Sequence, residues 1–250
     1  TITQSFQSFK PNKVVNLAAQ AGVRYSIENP YAYMDSNLVG FLNIIELCRH
    51  NNVEGLIYAS SSSVYGGNTK IPFSVEDRVD KPIALYGATK RANELIAYSY
   101  SHLYGLHTTG LRYFTVYGPW GRPDMAMFIF TKKILTGKPI PVFNNGNMKR
   151  DFTYIDDIIS GTRAAIEKNY KCEVFNLGNH KSENLMDMIA ILEKELGIKA
   201  IIDFKPMQPG DIIESFADID LSRKKLGFTP QTPVSQGIPQ FISWYNEIYK

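Results

Sequence analysis

The feature that most constrains this chain is a repeated change in hydrophobic period. Lys13 to Leu17 is a short β-branched run set off by Pro11 and Asn12. Beyond Asn37, the residues Leu38, Val39, Phe41, Leu42, Ile44, Ile45 and Leu47 recur at three- and four-residue spacing, as in a helix. Gly55 to Ser60 returns to an unbroken apolar run that ends in serines, the pattern of a strand buried on both faces. A long helix is predicted from about Tyr86 to Tyr104, stopped by Gly105, and a further strand from Thr108 to Phe114. Strand, helix, strand, helix, strand in that order predicts an α/β chain built on a doubly wound parallel sheet.

After Gly118 the chain is broken by Pro119, Gly121, Pro123, Gly137, Pro139, Pro141 and Gly146, which predicts a second, smaller lobe. Helices are predicted near Met125 to Leu135, from a cap at Asp156 and Asp157 to about Glu167, from Ser182 and Leu185 to Gly197, and from Pro233 to Tyr249. Strands are predicted at Pro139 to Phe143, Asp151 to Tyr154 and Glu173 to Leu177, the last belonging to the main sheet. The domain reading is therefore residues 1–118, with 156–180 returning to them, and 119–250 as the lobe.

Composition narrows the function. The 250 residues are 44% hydrophobic and 20% charged with a net charge of +3, enough apolar material for a core and no basic stripe for nucleic acid. Cys48 and Cys172 are the only cysteines and sit in apolar runs, so no disulfide framework is expected and a cytoplasmic setting is. No apolar stretch reaches the roughly 18–20 residues of a membrane helix. No metal is expected.

Tyr86 and Lys90 lie four apart at the start of the long helix and so project from one face. An ammonium near a phenol favours the phenolate, which is what a tyrosine general base requires. Tyr-x-x-x-Lys arises often by chance, and a half-buried Tyr beside a solvated Lys is the ordinary alternative. Ser60, Ser61, Ser62 and Ser63 shift that balance, because polar side chains at the carboxyl end of a parallel strand line the crevice where such folds bind ligands.

Taken together, Asn16-Leu17-Ala18-Ala19-Gln20, Asn37, Ser60 to Gly66, Tyr86-Gly87-Ala88-Thr89-Lys90, Leu111 to Phe114 and Arg150-Asp151-Phe152 resemble the nucleotide-sugar epimerases of the extended short-chain dehydrogenase/reductase superfamily. The resemblance covers essentially the whole chain. It implies a Rossmann-type domain that binds NAD, a smaller C-terminal substrate-binding lobe, and a homodimer paired through the helices starting near Asn37 and Tyr86. It implies Ser61 as the catalytic serine, Tyr86 as proton acceptor and Lys90 as the residue that holds the nicotinamide ribose. Ala18, Ala19, Gln20, Asn37, Ser60 and Tyr113 would line or adjoin the cofactor. Asn16 stands where relatives often carry His.

Within the superfamily, relatives that dehydrate a sugar place Asp and Glu directly after the catalytic residue, and decarboxylating relatives place a Glu two before the tyrosine of Val-Tyr-Gly. Ser62 and Ser63 stand there instead, so oxidation followed by re-reduction, which is epimerisation, is the expected outcome. The stretch Tyr117 to Ala126 resembles that of UDP-glucuronate 4-epimerases. A uronate carboxylate needs a cation or hydroxyls, and Arg122, Thr115, Ser62 and Ser63 offer them; a surface position is the ordinary fate of a loop arginine. Arg150 is expected on the diphosphate, Val142 and Phe143 near the uracil, and Gln208 with Asp211 near the diphosphate or uridine ribose. Phe143 as plain core competes, and relatives frequently have Arg in place of Gln208.

The expected function is thus interconversion of UDP-glucuronate and UDP-galacturonate through a 4-keto intermediate. An epimerase of a neutral or N-acetylated UDP-hexose is the alternative, and a non-catalytic nucleotide-binding module another. A dinucleotide site of this type also needs a first strand, a glycine-rich turn and an acidic residue about 20 positions later. None precedes Lys13, and the chain opens in what reads as mid-helix. The expectation is an N-terminally truncated enzyme lacking roughly 60–90 residues, at about 30 per strand-helix-strand unit, that binds NAD poorly and does not turn over by itself.

Overall fold

The computed structural model describes residues 1–208 and 210–249. The first helix, α1 (Ile2–Phe9), is closed by a capping box in which the Thr1 hydroxyl accepts from the Gln4 N–H. Strand β1 (Lys13–Asn16) follows, and then α2 (Tyr25–Glu28) and α3 (Pro30–Tyr33). The α3 helix runs through a π-helical turn at Met34–Val39 into α4 (Gly40–His50). Asn37 therefore lies inside a helical run and does not open one. The cap comes earlier: the Asn29 side chain accepts from the Ala32 N–H, and Pro30 supplies the first helical residue. Strand β2 (Gly55–Ser61), α5 (Leu85–Tyr104) and β3 (His107–Tyr113) come next, with Gly105 closing α5 at φ 68.

Beyond them run β4 (Thr115–Tyr117), α6 (Ala126–Leu135), β5 (Ile140–Phe143), β6 (Lys149–Arg150), β7 (Phe152–Tyr154), α7 (Ile155–Lys168), β8 (Cys172–Leu177), β9 (Glu183–Asn184), α8 (Leu185–Leu196), β10 (Ile202–Lys205), β11 (Glu214–Ser215), α9 (Asp220–Leu226) and α10 (Val234–Tyr249). Asp156 and Asp157 sit in the first turn of α7 rather than capping it, and the Asp157 carboxylate accepts the N–H groups of Gln231 and Thr232. The α8 helix opens at Leu185, after Asn184, rather than at Ser182. Asp151 is not a strand residue; it separates β6 from β7. The short β10, β11 and α9 carry too few apolar residues to show a period.

Contacts divide the chain into two compact units, one of Thr1–Tyr113, Ser160–Leu177 and Asp218–Phe228, the other of Phe114–Ile159, Gly178–Ala217 and Thr229–Lys250. The first holds a parallel sheet in the order β1-β2-β3-β8. Because side chains alternate along a strand, Leu56 and Tyr58 share one face of β2, where they pack with Phe6 of α1, Phe41 and Ile45 of α4, and Ala97 of α5. Tyr113 and Leu177 meet α7 on the opposite face: the Tyr113 hydroxyl lies 3.1 Å from Thr162 Oγ1, and a Cβ on Gly161 would strike Leu177. Helices thus cover both faces of the sheet. Each large apolar side chain so buried contributes about 1.5–3 kcal/mol.

Among the described residues, the second unit has no sheet of more than three strands. Strand pairs β4–β7 and β5–β10 and the trio β11-β6-β9 surround a core that includes Phe128, Ile140, Val142, Phe152, Ile238 and Phe241. Among the described residues, no helix is long and apolar enough to cross a membrane.

Candidate active site

The pleat of β2 decides what each serine does. Ser60 shares the face of Leu56 and Tyr58, and its hydroxyl donates to Glu94 Oε1 at 2.6 Å inside the protein. Its side chain is therefore part of an internal network and is not offered to a cofactor at the strand end, contrary to the reading of the serine cluster as a polar fringe. Ser61 falls on the other face and ends the strand. Its Oγ accepts the Ser63 N–H at 3.2 Å, capping a 3-10 turn over Ser62–Tyr65. Ser62 and Ser63 are half-buried in that turn.

Tyr86 and Lys90 occupy the first turn and a half of α5. Gly87, between them, lets the helix start against the serine turn, since a Cβ there would collide with the Ser63 carbonyl oxygen. That contact brings the Ser61 strand end and the Tyr86 helix start together. The Tyr86 ring is half-buried, edge-on to Tyr33 with centroids 6.1 Å apart. Lys90 is only 3% exposed, and its Nζ donates to the Ala59 carbonyl at 2.8 Å. Burial pulls the Lys90 ammonium down to about 8.

Ala18, Ala19 and Gln20 follow the carboxyl end of β1, Ala18 exposed and the other two half-buried. Asn37 is 1% exposed and spends its amide on structure: Oδ1 accepts the Gln20 N–H at 2.8 Å, and Nδ2 donates to the Gln20 carbonyl and Thr89 Oγ1, each at 3.0 Å. The side chain thus supports the loop and is used up in doing so. The Tyr113 hydroxyl is likewise engaged, by Thr162, and burial outweighs that bond and pushes the phenol up to about 12.

Behind the serines lies an ion pair that sequence reasoning missed. Arg112 meets Glu94 with two parallel bonds, Nε to Oε1 at 2.8 Å and Nη2 to Oε2 at 2.9 Å, and its Nη1 donates to the Tyr65 hydroxyl at 3.0 Å. Tyr65 donates in turn to Asn176 Oδ1 at 2.6 Å. Burial works to raise Glu94, but the Arg112 fork outweighs it and holds the carboxyl below its usual range. The available signal was a lone arginine in the apolar strand Thr108 to Phe114 and a glutamate four residues after Lys90.

In the second unit, Arg150 is half-buried on β6, with Nη1 donating to the carbonyls of Lys149 at 2.9 Å and Ile213 at 3.1 Å. The Ile213 bond ties it to the segment holding Gln208 and Asp211, where the Asp211 N–H donates to the Gln208 carbonyl at 3.2 Å. The Thr115 N–H donates to the Asp151 carbonyl. Val142 is fully buried in the core, so its side chain cannot reach a uracil and any contact must come from its main chain; Phe143 is half-buried at the edge of that core. Arg122 is exposed and its guanidinium is paired with Asp124. Among the described residues, no group of His, Cys, Asp and Glu is placed to hold a metal ion.

The sequence model of the NAD dependent epimerase/dehydratase family matches residues 1–178. The chain belongs to that family. The chain is 48% identical to UDP-glucuronate 4-epimerase 4 of Arabidopsis thaliana over 94% of this chain and 58% of the relative. The structure of UDP-glucuronic acid 4-epimerase from Bacillus cereus, in complex with UDP-glucuronic acid and NAD, superposes with a TM-score of 0.93 at 35% identity, over 99% of this chain and 79% of that one. UDP-glucose 4-epimerase from Thermotoga maritima, with UDP-glucose, gives a TM-score of 0.94 at 30% identity, over 100% of this chain and 82% of that one. The doubly wound parallel sheet with helices on both faces is the Rossmann-type fold of this enzyme family.

Proposed function

We propose that the chain is an NAD-dependent UDP-sugar 4-epimerase whose substrate is a UDP-hexuronic acid, interconverting UDP-glucuronate and UDP-galacturonate. The observation that carries this reading is the packing of the Ser61 strand end against the start of α5, with Tyr86 and Lys90 in its first turn and a half and serines, not carboxylates, at positions 62 and 63. The similarity to UDP-glucuronate 4-epimerases supports it.

The first unit fits NAD by its donor set. Lys90 uses one N–H on Ala59, which leaves an ammonium with donors suited to a ribose diol, and the small residues Ala18, exposed, and Ala19, half-buried, permit close approach at a strand end. When bound, NAD supplies the acceptance and return of a hydride at C4 of the sugar. Tyr86 takes the proton of the C4 hydroxyl and later gives it back; Ser61 hydrogen-bonds the same oxygen as it becomes a carbonyl. Oxidation and re-reduction leave no net redox change, and the 4-keto sugar turns about its bond to the diphosphate between them.

That turning requires a firm hold on UDP and a loose one on the sugar. The second unit is proposed as the UDP-sugar lobe: Arg150, Gln208 and Asp211 hold the diphosphate and ribose, and Phe143 with the Val142 main chain holds the uracil. Arg122 and Thr115 of the same unit hold the carboxylate, restraining loss of CO₂ from the keto acid; for Arg122 this means exchanging Asp124 for the substrate. A homodimer is also proposed, through Val39, Leu42, Leu95, Tyr98 and Leu103, which leave an exposed apolar face on the helices α4 and α5 and the π-turn before α4.

The Arg122–Asp124 pair and the likeness to a UDP-glucose 4-epimerase favour a second reading, a neutral UDP-hexose substrate. Turnover of UDP-glucuronate and UDP-N-acetylglucosamine side by side separates the two. Tyr86→Phe in the intact enzyme is expected to lose at least a hundredfold in turnover, the scale of a general base; ordinary turnover in this variant would sink the assignment.

A further inference from the structure

The strand-end loop 18–22 and the reacting tyrosine are held by one bridging segment. Asn37 pairs with both main-chain groups of Gln20 as a neighbouring strand would, and its remaining N–H goes to Thr89 Oγ1 at 3.0 Å. Thr89 is 2% exposed, and its hydroxyl donates to the Tyr86 carbonyl at 2.9 Å. The directions are fixed: the Asn37 amide N–H can only donate and the Tyr86 carbonyl can only accept, so the Thr89 hydroxyl accepts from the first and gives its single proton to the second. A second connection runs alongside. Tyr33, fully buried just before the π-turn, donates its hydroxyl to the Gly22 carbonyl at 2.6 Å, with the Ala21 carbonyl at 2.9 Å, while its ring meets Tyr86 edge-on. The π-turn at Met34–Val39 sets the spacing of Tyr33 and Asn37 on this run, and π-turns are concentrated at functional sites.

The geometry points to Thr89 as a positioning residue for Tyr86, the joint through which the loop 18–22 and the proton acceptor are held in one register. This rests on the reading of Tyr86 as that acceptor. A threonine hydroxyl on the carbonyl three residues back is common in helices. Here the same hydroxyl is also the acceptor for a buried amide that fixes a loop 17 residues from it in sequence, and that second bond separates a positioning role from a local one.

The test compares Thr89→Val, which keeps the shape and removes the hydroxyl, with Thr89→Ser, which keeps the hydroxyl. Thr89→Val is expected to lower kcat about tenfold with KM for UDP-glucuronate within about threefold, the scale of one buried hydrogen bond acting on geometry. Hydrogen exchange across residues 18–22 should rise about tenfold in the same variant, in the full chain and without any ligand. Thr89→Ser should restore both to within about twofold. Unchanged exchange and unchanged kcat in Thr89→Val overturn the proposal, as does a Thr89→Ser variant as impaired as the valine one. Tyr86→Phe in parallel keeps the two ideas apart: an active Tyr86→Phe removes the acceptor, whereas an inactive one beside a wild-type-like Thr89→Val removes only the role of Thr89.

Discussion

Each unit buries one carboxylate, and the two are stabilised in opposite ways. Glu94, in the first, faces the Arg112 guanidinium and accepts from Ser60, and it is held below its usual range. Asp151, in the second, is fully buried and meets no cation. It accepts from the Asn179 N–H at 2.5 Å, the Ala217 N–H at 3.0 Å, the His180 N–H at 3.1 Å and the Thr153 hydroxyl at 2.8 Å. For Asp151, burial outweighs these four donors and raises the carboxyl to about 6. A full opposite charge at bidentate distance can overcome desolvation, whereas four partial charges offset only part of it. The first unit thus locks β2, β3 and α5 behind the proposed chemistry with a pair insensitive to ordinary pH. The second gathers donors from β7, from residues 179 and 180 and from residue 217 on a carboxyl that burial raises to about 6.

The contrast is broken most severely by Arg112→Met, which leaves Glu94 buried without its cation. We expect a loss of about 3–5 kcal/mol in urea unfolding, much of it recovered when Glu94→Gln is added. A loss under about 1 kcal/mol would mean that Arg91, whose Nη1 also reaches Glu94 at 2.9 Å, suffices alone. The pH dependence separates the two carboxylates next. Asp151 binds its proton more tightly folded than unfolded, so between about pH 4 and 6 the folded state holds more protons and stability falls as pH rises. The shift from 3.8 to about 6 corresponds to about 3 kcal/mol over that window. Glu94 has the opposite sign: its contribution is present above its unfolded value and lost as pH falls through its lowered folded one. Unfolding of the wild type and of Asp151→Asn from pH 4 to 7 checks this, and an identical slope in both would show that Asp151 does not titrate there.

These same groups show what was legible in the sequence and what was not. The order of strands and helices was readable because the period of the apolar residues changes from helical to continuous and back, and Gly105 and Gly197 stop α5 and α8 where their left-handed backbone requires. The spacing of Tyr86 and Lys90 was readable for the same reason. The direction of a polar side chain within an apolar run was not: Ser60 and Ser61 are adjacent and identical, and only the pleat of β2 sends one inward to Glu94 and leaves the other at the strand end. Asn37 looked like a helix opening because it lies in a π-turn, which breaks the helical period between the cap at Asn29 and α4. Arg112 and Asp151 were quoted as parts of motifs, but Glu94 lies 18 residues from Arg112 and the main-chain donors to Asp151 lie 28 residues or more from it, and a pairing at that range is set by tertiary structure.

Lys90 sharpens the comparison as a third buried charge, with neither an opposite charge nor a ring of main-chain dipoles. Its ammonium has the Ala59 carbonyl, and burial lowers it from 10.5 to about 8. Folded, it binds its proton less tightly than unfolded, so between about pH 8 and 10.5 the unfolded state holds more protons and stability rises with pH. Below that window the charge costs the fold about 3 kcal/mol. Lys90→Met removes that cost and gives up one hydrogen bond worth about 1 kcal/mol, so we expect a variant about 2 kcal/mol more stable at pH 7 by urea unfolding. The rise between pH 8 and 10.5 should vanish with it. A side chain kept at a loss to stability is what a reacting group looks like. If Lys90→Met proved less stable than the wild type, Lys90 would be a structural strut like Arg112, and its place beside Tyr86 would need another explanation.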